Sequence, residues 1–196
     1  MFHRLIGFLS LTMLTACTLA APERSTTLAD GEIFLQAPAG YCVDMVASRP
    51  SRDFAVLAPC NVMGVVTDAP DVVGLVTVQA GAADSGAIAL DEIALRDFLI
   101  TDTGNALLSQ TGNAASINVL STQAFSDQVM VHFADNGPPP VAGLQNEEWR
   151  AFRSVGGRLV TVGVRGASAA PLQDGPGASL LKLVLAGVRS TETPDS

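Results

Sequence analysis

Lysine is almost missing from this 196-residue chain: Lys182 is the only one among 11 basic residues, set against 19 acidic ones. That excludes a nucleic-acid partner, because neutralising a phosphate backbone takes clustered Lys or Arg. Histidine is as scarce. His3 and His132 are the only two, too few for a His-rich metal site and without His-Glu-x-x-His spacing. None of the three Cys are spaced Cys-x-x-Cys, which argues against a redox dithiol or a zinc ribbon. There is no Gly-x-Ser-x-Gly elbow, P-loop or dinucleotide glycine pattern, and Gly163-Val164-Arg165-Gly166 lacks the spacing of a phosphate cradle. The acidic residues come as singles and pairs such as Asp91-Glu92 and Glu147-Glu148, the pattern of a solvated surface. No catalytic residue, metal ligand or cofactor is assigned from these patterns.

The most informative stretch present is the first. Met1–Arg4 is a short basic head, and Leu5–Leu14 is an apolar run broken only by Ser10 and Thr12. Small residues follow, which is the layout of a secretory signal. The run is short of the roughly 20 apolar residues that cross a bilayer, and no later run is long enough either. Leu14-Thr15-Ala16-Cys17 resembles the lipobox of bacterial lipoproteins. The resemblance implies cleavage before Cys17, diacylation of its thiol and acylation of the new amino end. Three acyl chains would anchor firmly, whereas one chain, at roughly 0.8 kcal/mol per buried CH₂, is marginal. Thr18 follows the Cys where Asp resembles an inner-membrane retention signal, so the resemblance implies the outer membrane, facing the periplasm. The alternatives are an ordinary cleaved signal with a chance Cys and an uncleaved anchor. The expected organisation is a signal peptide at 1–16, a lipidated tether at 17–30, one domain at 31–190 and a polar tail at 191–196. The expected partners are the membrane, through lipidated Cys17, and an envelope protein.

Cys42 and Cys60 remain once Cys17 is acylated. In an oxidising compartment two leftover thiols pair. Closing a loop of about 17 residues stabilises by roughly 3 kcal/mol on the chain-entropy model. A metal or redox pair is the functional alternative, with only His132 left to assist it.

Along the chain, Thr18–Asp30 shows no apolar periodicity and reads as tether. Glu32–Ala37 and Phe54–Pro59 read as strands, with Tyr41–Asp44 a turn or short extended piece between them. Val72–Ala80 is a β-branched third strand. From Leu90 to Ile100 the period changes to helical behind Asp91-Glu92, and a second helical piece runs through Leu107 and Leu108. Ser116–Ala124 and Gln128–Ala134 read as strands. In the second, Val129, Val131 and Phe133 share one face and Met130 and His132 the other. Glu147–Val155 and Arg158–Arg165 form a hairpin about Gly156-Gly157, with Trp149, Ala151, Val160, Val162 and Val164 on one face. Ala167–Gly177 reads as a loop, and Ala178–Arg189 as a helix with Leu180, Leu181, Val184, Leu185 and Val188 inward.

The expected fold class is α+β: an antiparallel sheet carrying a middle helix and a C-terminal helix. This order of elements resembles the Mog1/PsbP-like sandwich, and Phe34-Leu35-Gln36-Ala37-Pro38-Ala39-Gly40 is similar to that group's Phe-x-x-x-Pro-x-Gly start. The cysteine-bearing segments depart from the pattern. The resemblance implies an accessory or binding module rather than an enzyme. The alternative is a small periplasmic hydrolase or ligand-processing enzyme using His132, with Ser121, Asp127 or Asp135 as folded neighbours. Asp102-Thr103-Gly104-Asn105 reads as a capping turn rather than a calcium loop. Trp149 reads as core filler rather than a partner anchor.

Overall fold

The computed structural model describes residues 22–191. The expected signal peptide, the lipobox-like segment ending at Cys17, the first part of the expected tether and the tail beyond Thr191 lie outside the described residues. Among the described residues, ten strands and three helices follow in the order β1 Ser25–Leu28, β2 Ile33–Gln36, β3 Tyr41–Val43, β4 Phe54–Pro59, β5 Leu75–Ala80, α1 Glu92–Leu99, α2 Asp102–Leu108, β6 Ile117–Phe125, β7 Gln128–Asp135, β8 Glu147–Val155, β9 Arg158–Arg165, α3 Asp174–Ala186 and β10 Val188–Ser190. The α+β class and the C-terminal helix stand as expected. The strands, however, form two sheets rather than one: a three-stranded sheet β1-β2-β10 and a seven-stranded sheet β3-β4-β5-β9-β8-β7-β6. All their pairings are antiparallel.

The large sheet has a core on each face. Strand alternation sends Ala55, Leu57, Val76, Val78, Val160, Val162, Val164, Trp149 and Ala151 to one side. There they pack with Ile33 and Leu35 of the small sheet and with Leu180, Leu181, Val184 and Leu185 of α3. On the other side Val129, Val131 and Phe133 of β7 meet Leu95 and Leu99 of α1 and Leu108 of α2. This second core is centred on the β6–β7 end and reaches Phe152 of β8 and Leu159 of β9. The β8–β9 hairpin has Val155 opposite Arg158, because Gly156 (φ +55°) and Gly157 (φ +74°) both adopt the left-handed conformation that a tight hairpin turn requires.

Two expectations are corrected here, and one alternative is decided. Within the stretch that reads as tether, Ser25–Leu28 is a strand paired in register with β2, from Ser25–Gln36 to Leu28–Ile33. Only Leu28 is apolar there, so periodicity carries no signal; the backbone ladder and the burial of that one side chain hold the strand. Of the two readings of Tyr41–Asp44, the short extended piece holds, because Tyr41–Val43 is a strand. Finally, α3 begins at Asp174, not Ala178, and stops at Ala186. Pro176 is tolerated in the first turn, where backbone N–H groups lack helical acceptors. A Cβ on Gly187 would strike the Gln36 carbonyl. That close approach lets Gly187 O accept from Gln36 N (2.9 Å), and Val188 and Arg189 continue as strand β10 against β2. Val188 is buried as foreseen, but from a strand.

Candidate functional site

Because α1 and α2 cover only one end of the large sheet, its other end is open on that face. The exposed end forms a groove of about 600 Å³. Its floor is the outward row of β4, β5 and β9, including Phe54, Val56, Leu75, Thr77, Thr161 and Gly163. One rim is the turn Asp44–Ala47, the other the Pro140–Leu144 segment. Asp44 Oδ1 accepts from Val46 N (2.9 Å) and Ala47 N (3.0 Å), an Asx-type turn that leaves Met45 50% and Val46 85% exposed. Val141 on the opposite rim is 55% exposed.

One wall of the groove is ionic. Glu148, 4% exposed, accepts from Arg150 Nε at Oε1 (2.7 Å) and from Arg165 Nε at Oε2 (2.8 Å). Arg165 Nη2 also lies 2.6 Å from Oε2 but makes no well-directed hydrogen bond there. Its Nη1 donates to the Gln145 and Asn146 carbonyls (3.2 Å each). The carboxylate fits because position 163 is Gly; a Cβ there would sit 2.7 Å from Glu148 Oε1. Nearby Asp135 is 3% exposed. Burial alone would raise its pKa. The Gln110 amide, the Ser116 hydroxyl, the Gly137 amide and the Arg165 charge outweigh that and hold it below the usual carboxylate value.

The second place of chemical interest is His132, on the opposite face of the sheet. Its ring stacks on Trp149, centroids 4.2 Å apart and planes 12° from parallel. Gly177 of α3 lies flat on that Trp, leaving no room for a Cβ. His132 Nε2 is 2.9 Å from Glu147 Oε2 and Nδ1 is 3.6 Å from Asp174 Oδ1. A hollow of about 310 Å³ opens beside it. One ligand atom from each of His132, Glu147 and Asp174 lies within 4.8 Å of the other two, so the three could hold a divalent cation. Of the neighbours foreseen for His132, only Ser121 borders this hollow. Asp127 pairs with Arg153 (3.1 Å), and Asp135 belongs to the network across the sheet. Sequence reasoning misses the carboxylates that do reach the imidazole. Glu147 is legible only as part of an acidic pair, and Asp174 sits in a stretch that reads as loop.

The other site residues separate clearly. Cys42 and Cys60 are joined in a disulfide, Cα atoms 5.0 Å apart. It ties β3 to the turn after its neighbour β4, next to the groove's Asp44 rim. Trp149 is 3% exposed and lies in the larger core. Asp102–Asn105 is the first turn of α2, capped by Thr101, whose hydroxyl accepts from Gly104 N (3.2 Å).

No family model matches this chain, and no curated protein sequence matches it. Its fold is similar to solved structures. A point mutant of the protein Mog1 aligns over 86% of this chain and 96% of its own, at TM-score 0.54 and 10% identity. The Saccharomyces cerevisiae Ran-binding protein Mog1p aligns over 88% and 97%, at TM-score 0.53 and 10% identity. A cyanobacterial PsbP from Synechocystis aligns over 91% and 98%, at TM-score 0.49 and 12% identity. At such identity the two Mog1 alignments show the shared fold alone.

Proposed function

We propose that this chain is a lipid-anchored bacterial envelope lipoprotein whose folded domain is a non-enzymatic binding or assembly module. The observation that carries the binding reading is the open groove: a sheet face left uncovered, lined by apolar side chains and framed by two apolar-tipped rims. The anchored reading draws on Leu14-Thr15-Ala16-Cys17 and on Thr18, which favours the outer membrane. A paired Cys42–Cys60 suits an exported chain. The yeast protein of this fold is described as Ran-binding, which makes a protein partner a reasonable use of the scaffold; here the proposed partner is an envelope protein.

The test is crosslinking and capture of the full-length chain from native envelopes, beside Cys17→Ala and Val141→Trp. Cys17→Ala is expected to abolish acylation and signal removal. A stoichiometric envelope protein should be captured by the unmodified chain and lost from Val141→Trp, which fills the groove mouth from an exposed position. Normal maturation of Cys17→Ala would overturn the anchor, and no captured protein would overturn the assembly role. A second reading, a small ligand-processing enzyme using His132, draws on the hollow beside the His132–Glu147–Asp174 group. Turnover lost on His132→Gln would favour it.

A further inference from the structure

The groove also carries information about what fills it. Its volume, about 600 Å³, lies within the roughly 300–1,000 Å³ typical of small-molecule sites. Its floor offers Phe54, Val56 and Leu75 to an apolar body. Its ionic wall has donors to spare. Arg150 and Arg165 share the single carboxylate of Glu148, and no other carboxylate among the described residues lies within ion-pair distance of either. Asp135 acts on Arg165 from farther off and is already engaged by two amides and a hydroxyl. The open cationic donors at the groove surface are therefore those of Arg150. Its Nε is taken by Glu148 and its guanidinium carbon lies 5.0 Å from the Phe133 ring centre. Its two terminal amino groups have no hydrogen-bond partner among the described residues. Asp44 stands on the far rim, with one carboxylate oxygen already taken by two amides of its own turn.

The position of the groove relative to the chain's start adds a second observation. Glu23 O accepts from Val43 N (2.7 Å), so the folded part begins beside β3, one residue from the Asp44 rim. Only Thr18–Pro22 then separate Cys17 from the fold, a reach of roughly 20 Å at full extension. A lipid on Cys17 would hold the exposed Met45 and Val46 close to the bilayer, with the groove opening behind them.

We propose that the groove binds a single-chain lipid anion drawn from that bilayer, its tail along Phe54, Val56 and Leu75 and its acidic head at Arg150. This rests on the reading of the chain as an anchored binding module. A carboxylate or phosphate head on one alkyl chain matches both the cationic donors of Arg150 and the apolar trough beside them.

Every strand and helix among the described residues lies between Ser25 and Ser190, so the chain from position 17 onward with Cys17→Ser carries all of these elements. Titrating it calorimetrically with decanoate and with decanol separates head from tail. Decanoate is expected to bind at least tenfold more tightly than decanol. Arg150→Gln should erase that preference, and Val141→Trp should weaken both. Equal affinities in the unsubstituted chain would overturn the assignment of the head to Arg150. Binding of neither, with an envelope protein still captured and lost on Val141→Trp, would overturn the lipid and leave the binding module standing. Binding of decanoate without any captured protein would sustain the lipid and remove the assembly role.

Discussion

Tyr41, the only tyrosine, is 1% exposed, and its hydroxyl stitches β3 to the segment that leads into β5. It donates to Val72 O (2.8 Å) and accepts from Gly74 N (2.9 Å). Burial pushes its pKa from 10.0 up to about 12, against the opposing pull of the Gly74 amide. The folded state therefore keeps the phenol proton where the unfolded chain has lost it. The resulting contribution is complete below about pH 10 and is lost as pH rises from there towards 12, at up to about 1.4 kcal/mol per unit. Urea midpoints measured across that interval should fall more steeply for the unsubstituted chain than for Tyr41→Phe. Phenolate absorbance of the folded protein should lag that of the denatured chain. Identical titration in both states would refute a buried phenol. The Arg150–Glu148–Arg165 group shows the opposite side of burial. An ion pair taken out of water gains little net stability, so two guanidiniums on one buried carboxylate are better explained by what they face than by what they stabilise.

At the scale of elements, the Cys42–Cys60 bridge closes the β3–β4 unit on which one groove rim is built. Replacing both cysteines with Ser is expected to lower stability by about 3 kcal/mol, read as a shifted denaturant midpoint under non-reducing conditions. The groove-rim turn, held by its own Asp44, should persist. No change in midpoint would mean that the bridge constrains the unfolded chain little. Elements with their own local signal are legible in the sequence: the Gly156-Gly157 hairpin, the two faces of β7 and the middle helix, whose Asp91 cap accepts from Ala94 N (2.9 Å). Elements that exist only through a partner are not. β1 has one buried apolar residue, and β10 is three residues long. Both are specified by the ladder of β2. The first turn of α3 is hidden by Gly175 and Pro176, residues that usually break helices but are harmless where no helical acceptor is needed.

In the molecule as a whole, two cores share one sheet. Val129, Val131 and Phe133 face one core while Met130 of the same strand faces the other, so neither can melt without disturbing its neighbour's floor. Urea unfolding followed by Trp149 fluorescence, which reports the larger core, should coincide with loss of helical circular dichroism. An earlier transition in either signal would show that the sheet does not couple them. The candidate site is not legible in the sequence for the same long-range reason. Val56, Thr77, Glu148 and Gly163 become neighbours only when the β4–β5, β5–β9 and β8–β9 pairs form, and no local spacing announces a groove whose existence depends on where α1 and α2 stop. The small sheet carries a consequence of another kind. Its middle strand β2, Ile33–Gln36, takes one partner from Ser25–Leu28 and the other from Val188–Ser190. A ribosome delivers Ile33 more than a hundred and fifty residues before Val188, and β2 keeps one edge unpaired throughout that time. The three-stranded sheet is thus complete only once Val188–Ser190 have been made, long after the strands of the larger sheet.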